Sequence, residues 1–354
     1  MTYMATSTDD ISSTRLTSSG RDPSLDFIRL IAILMVIAIH VSSKGFGAMT
    51  HHWWAVNFWE SVSRASVPLF LMVTGALLLG KETTVRKTLS RIWRVGLPLI
   101  VWSYAYFYWF RYTGTEFPHW TKSILRGPII PHFWYLYTLL GAYLFLPVMI
   151  GFCQLKDTRS KVLTMAGWFV GASVLPTVTA LTGKDYLGLN LGFMPLYAGY
   201  LIMGWFAYRW TRFTTSRVVL ASCVWALSAA LIAIFTWKHS IKVGAANETF
   251  YAYTSPFVIT SAVSAFYVLR AMAITFAASR WFPARTLQKL GEVNFGVYLI
   301  HVMVMFWWDM RGFDFQFINP WLATPVVVVL TFLLSAAVIF VIQRLPFGKL
   351  IAPN

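Results

Sequence analysis

The stretch LDFIRLIAILMVIAIHV, Leu25 to Val41, sets Arg29 and His40 at the two ends of ten consecutive apolar residues. At about 100° per residue, the eleven steps from Arg29 to His40 make three turns plus roughly 20°, so a helix places both on one face about 16 Å apart. Ionisable groups inside a membrane span are costly and usually face a bundle interior or a wet pocket. The first helix therefore reads as the wall of a site.

Composition sets the class around that helix. The 354 residues are 57% hydrophobic, 17% aromatic and only 12% charged, with a mean hydropathy of +0.61, far more apolar than a soluble domain of this size. Spans of bilayer length are expected near residues 26–43, 57–79, 95–112, 132–151, 162–181, 191–208, 217–236, 252–272, 290–308 and 320–342. The expected fold is all-α, a polytopic membrane helical bundle with about ten transmembrane helices and no internal repeat. Residues 1–24, rich in Ser, Thr and Asp, read as a disordered cytoplasmic tail, 25–345 as the ten-span domain, and 346–354 as a short cytoplasmic tail.

The formal net charge of +16 invites a nucleic-acid reading, which the placement of the cations opposes. With a cytoplasmic N-terminus, twenty of the 29 Lys and Arg fall on the inner side and eight on the outer, with Arg64 left inside the second span. That bias follows the positive-inside rule over ten spans with both termini cytoplasmic. Cleavage of the first apolar segment as a signal peptide would leave nine spans and spoil the alternation, and the residues after His40 make no convincing small-residue cleavage site. Cys153 and Cys223 fall near inner helix ends, so no disulfide is expected, and no Cys/His spacing suggests a metal site.

Four further segments carry polar groups where lipid alone would not hold them. In Ser61 to Gly75, Arg64 precedes Pro68, which predicts a kinked, partly hydrated helix; the alternative is that Arg64 snorkels outward. Arg91 and Arg94, three apart, share a helix face and can form a fork for phosphate or carboxylate, although basic residues at an inner helix end also arise as topology signals. Arg29 is expected at the same depth, which would make three guanidiniums a receptor for a polyanion. Tyr298 and His301 share a face of the ninth span, where His301 is either a structural hydrogen-bonding residue or an alternative base. The run Pro131-His132-Phe133-Trp134-Tyr135-Leu136-Tyr137 fits an interfacial aromatic belt by default, or a platform on which Trp134 and Tyr135 stack against sugar rings.

These residues together resemble the integral-membrane acyltransferase family 3. The resemblance rests on Arg29 and His40, the Ser63 to Gly75 phrase, Arg91-x-x-Arg94 and Gly296-Val-Tyr-Leu-Ile-His301, and it covers nearly the whole chain beyond the N-terminal tail. The phrase around Arg64 and the Phe-Trp-Tyr-Leu run look most like the branch that contains the enterobacterial common antigen O-acetyltransferase. The resemblance implies a ten-helix enzyme of the bacterial inner membrane that moves an acyl group, usually acetyl, from cytosolic acyl-coenzyme A to a hydroxyl of a glycan or its lipid-linked precursor. It implies functional roles for Arg29, His40, Arg91 and Arg94. Some members append an extracellular hydrolase-like domain, and none is expected here, because the chain stops at Asn354 soon after the tenth span.

The residues fit that chemistry. His40, as a neutral imidazole, can take the proton of an attacking hydroxyl, with His301 as the alternative base. Arg29, Arg91 and Arg94 would hold the coenzyme A phosphates, and roughly 16 Å along the helix is comparable to an extended pantetheine arm. Arg64, Trp134, Tyr135 and Tyr298 are the candidate acceptor-binding residues. Membrane lipids are the remaining partner expected, and acetyl-coenzyme A the donor, with no metal and no nucleic acid. A transporter of glycans or anionic metabolites is the competing class, since intramembrane ions also mark substrate paths.

Overall fold

A computed structural model describes residues 22–49, 52–114, 124–187, 196–278 and 284–354. The expected tail up to residue 21 and the first part of the expected span 191–208 lie outside them. The described residues are helical and turn structure throughout, without a strand. Eight helical segments among them are long and apolar enough to cross a membrane. The expected span 95–112 lies in a longer helix, α4 (Val85–Tyr112), whose Arg, Tyr and Trp content keeps it out of those eight, and 191–208 is represented by α8 (Ala198–Tyr208).

Helix α1 (Pro23–Ser42) is the axis of the bundle. Asp22 caps it by accepting from the Ser24 backbone N–H at 2.9 Å, and Pro23 in the first turn lacks an N–H that would need a partner. A helix apolar all round belongs in a core, and α1 packs against α2 (Trp53–Ser63), α3 (Ser66–Leu78), α10 (Pro256–Ala278), α11 (Ala284–Asp309) and α12 (Pro320–Ile342). Only Arg29, Ile31, Leu34 and His40 along α1 are less than fully buried.

Two expected spans are not single straight helices. The second breaks at Arg64 and Ala65, between α2 and α3, because Pro68 in the first turn of α3 removes a backbone donor. The fifth is α6 (Thr158–Phe169), a five-residue π turn at Val170–Val174, and α7 (Leu175–Thr182). α5 (Trp134–Gln154) follows a 3-10 turn at Pro131–Phe133. α9 (Thr215–Val243) buries one stripe, Ser228, Ala229, Ile232, Thr236 and Ser240, at the helical period. The chain ends in α13 (Gly348–Ile351), packed on α4.

Helices α3 and α8 cross backbone against backbone. A Cβ on Gly75 would sit 1.9 Å from the Leu201 carbonyl oxygen, and one on Gly204 would sit 2.0 Å from that of Met72. Small residues let membrane helices approach closely enough for dispersion to replace the missing hydrophobic drive. Gly204→Ala should therefore lower thermal stability in detergent, by the roughly 1–3 kcal/mol typical of overpacking. Gly167→Ala, where a Cβ meets open space, should not lower it; equal melting of both variants and the parent would contradict the close crossing.

Candidate functional site

The two polar positions left partly exposed on α1, Arg29 and His40, open onto two cavities. The first, about 330 Å3, lies at the Arg29 end and is lined by Arg29, Arg91 and Arg94, together with Tyr135, Asn294 and Tyr298. α4 supplies the fork, since Arg91 and Arg94 are one turn apart in its N-terminal part. Arg91 Nη1 donates to Thr83 Oγ1 at 2.8 Å, and Arg29 Nη1 pairs with Asp26 Oδ1 at 3.2 Å. The three guanidiniums expected at one depth do line one cavity. The C-terminal segment joins them, unforeseen from sequence. Pro353 and Asn354 complete the wall, Arg94 donates to the Asn354 backbone oxygen, and Trp102 Nε1 donates to the Ile351 oxygen at 2.9 Å.

The second cavity, about 40 Å3, is lined by His40, His132, Trp134, Tyr135, Tyr253 and Tyr298 among others. It has room for a water-sized group. Three imidazoles converge here: His40 lies 5.3 Å from His301 and 5.8 Å from His132, and His132 lies 4.9 Å from His301, between ring centroids. They arrive from α1, from the 3-10 turn before α5, and from α11. His301 Nδ1 is 2.7 Å from the Tyr298 carbonyl, which can only accept, so Nδ1 carries the proton in the neutral ring. Nε2 is then the acceptor, and it has no hydrogen-bond partner among the described residues. Tyr298 donates its hydroxyl to the His132 backbone oxygen, which fastens α11 to the turn that carries His132.

Tyr135 and Tyr298 belong to both linings, with their rings 5.6 Å apart edge to face. A single tunnel from Arg29 to His40 is the natural expectation from α1 alone. The structure instead has two cavities with this tyrosine pair between them, because α5 and α11 bring large rings to the middle of the path.

Much of the aromatic run at the start of α5 packs inside the protein, with Trp134 and Tyr137 half-buried. Tyr135 is buried, Trp134 packs 5.4 Å from both Tyr197 and Tyr253, and the Tyr137 hydroxyl donates to the Ile124 oxygen at 2.6 Å. His132, within that run, is the site residue that sequence reasoning passed over. Its signal was an imidazole directly before three aromatics in an apolar span.

Arg64 does not snorkel. It is buried at the α2–α3 break, pairs with the fully buried Glu60, and lies 4.2 Å from the Tyr251 ring. Ser42 Oγ also donates to Glu60 at 3.3 Å, which joins the pair to the end of α1. Arg64 lines neither cavity, so the structure gives it a position beside the histidine cluster without direct access to it. Glu60 was legible as an acid one helical turn before an arginine. Glu60→Ala should cost about 3–5 kcal/mol by leaving the guanidinium uncompensated, whereas Glu60→Gln with Arg64→Met should recover most of that loss in thermal unfolding.

No curated protein and no solved structure matches the chain. The model of the acyltransferase domain of family 3 matches residues 22–340, from the cap of α1 to the last turn of α12. That interval contains His40, His132, His301 and the three cavity arginines, and it spans most of the sequence: the chain belongs to acyltransferase family 3.

Proposed function

We propose that the protein is an O-acyltransferase of the bacterial inner membrane that moves a short acyl group, acetyl in the simplest case, from cytosolic acyl-coenzyme A to a hydroxyl of a cell-surface glycan or its lipid-linked precursor. The observation that carries this reading is the pairing of a three-arginine cavity with a three-histidine cluster along one helix, across a tyrosine pair. Arg29, Arg91 and Arg94 suit the phosphates of coenzyme A, because guanidinium forks bind phosphate bidentately. About 16 Å of helix from Arg29 to His40 suits the pantetheine arm, which would have to pass Tyr135 and Tyr298.

In the transfer, the hydroxyl oxygen bonds to the thioester carbonyl carbon and the carbon–sulfur bond breaks. The hydroxyl proton goes to His40 and from there to the departing thiolate. His301, with a bare Nε2 and its ring 5.3 Å from that of His40, is the alternative acceptor, and His132 packs against both. Trp134 and Tyr135 line the His40 cavity and are the candidate acceptor-binding residues, although at about 40 Å3 the cavity would have to widen to admit a sugar ring. The glycan acceptor follows the likeness to the branch that acetylates enterobacterial common antigen, and both termini lie in the cytoplasm in this reading.

Purified His40→Ala should still bind acetyl-coenzyme A and lose about 10²–10⁴-fold in transfer, the usual contribution of a positioned base; unchanged transfer would reject the role. Replacing Arg91 and Arg94 with Ala should weaken donor binding at least about tenfold, since each hydrogen bond to a charged group is worth about 1.5–3 kcal/mol. Donor affinity equal to the parent's would remove the phosphate role. Mass spectrometry of surface glycans from cells with and without the gene would name acyl group and acceptor together, and identical spectra would count against a glycan acceptor.

A further inference from the structure

A cavity of about 820 Å3 lies between α9 and α10, apart from both cavities above. Its mouth carries Arg209, Arg212 and Arg217, and its walls include Leu220, Val224 and Val263. The three cations are exposed, and no carboxylate lies within ion-pair distance of them among the described residues. Arg217 also stands in the first turn of a 29-residue helix that has no acid there. A cation at that end opposes the helix dipole, whereas an anion would be welcome.

The mouth is a built feature of the fold. Arg270 on α10 donates to the carbonyls of Tyr208 and Trp210, and the Tyr267 hydroxyl donates to the Arg212 carbonyl at 2.8 Å. Arg209 lies over the Trp205 ring at 4.3 Å. The Tyr208 hydroxyl reaches Asp22, the cap of α1, at 2.9 Å, so this mouth sits at the Arg29 end of the bundle. Below the arginines the groove is apolar and runs between two membrane-spanning helices.

We propose that this groove binds an anionic phospholipid, with its phosphate among Arg209, Arg212 and Arg217 and an acyl chain along Leu220, Val224 and Val263. Charge complementarity selects the anion, and the apolar length of the groove selects one that carries hydrocarbon. Free phosphate would satisfy the mouth alone, and a zwitterionic lipid would leave the cations uncompensated.

The test uses the full chain, reconstituted in vesicles of phosphatidylcholine with phosphatidylglycerol of the same acyl chains, re-extracted in mild detergent, and weighed by native mass spectrometry. The parent should retain phosphatidylglycerol over phosphatidylcholine. Arg212→Ala with Arg217→Ala should lose about tenfold to thirtyfold of that preference, the size expected for two interfacial arginines. Val224→Trp, which fills the apolar part and spares the cations, should also lose the adduct. Equal retention of the two lipids by the parent, or equal phosphatidylglycerol retention by the parent and the arginine variant, overturns the proposal. So does displacement of the lipid by millimolar inorganic phosphate, which would mark the mouth as a free-phosphate site.

Discussion

Charge inside hydrocarbon has to be met by protein or by water, and α1 places a guanidinium and an imidazole on one face of the central helix. The rest of the bundle answers that constraint. Five helices pack around α1 and leave it partly open at only four positions, and the two polar ones face cavities. An arginine cluster then forms where α4 crosses the Arg29 end, and an imidazole cluster where α11 and the turn before α5 meet the His40 end. Position along α1 thus separates two environments, an arginine-lined cavity at one end and a histidine-lined one at the other.

The molecule treats its other buried ions differently. Arg64 is neutralised within the protein by Glu60 and covered by Tyr251, and that network extends through Asn57, whose Nδ2 donates to the Ala233 oxygen at 3.0 Å. A buried pair of this kind is weak evidence for stability, since removing one partner costs more than replacing both. Here it holds the kinked second span against the His40 end of α1 through Ser42. Arg64 thus shares the neighbourhood of the histidines without lining their cavity.

The tyrosine pair gives the path between the two ends its character. Tyr135 and Tyr298 are buried, belong to both linings, and are tied into the frame, Tyr298 through its bond to the His132 carbonyl. The two rings pack edge to face, 5.6 Å apart, where the arginine-lined and histidine-lined cavities meet.

Period and composition were enough to read the membrane class, the last span at Pro320–Ile342, and the shared face of Arg29 and His40, because these depend only on local repeats and on the cost of polar groups in lipid. The alignment of Arg29 with Arg91 and Arg94 was legible too, since charge bias assigns all three to one side. The convergence of His132 on His40 and His301, the burial of Arg64 against Tyr251, the split of the path by Tyr135 and Tyr298, and the entry of Pro353 and Asn354 into the arginine cavity were decided by the tertiary structure alone. Each joins residues far apart in the chain or sets a helix rotation, and an apolar sequence leaves rotation open: in lipid almost any face of such a helix can be exposed, so only packing against neighbours selects the one that turns inward.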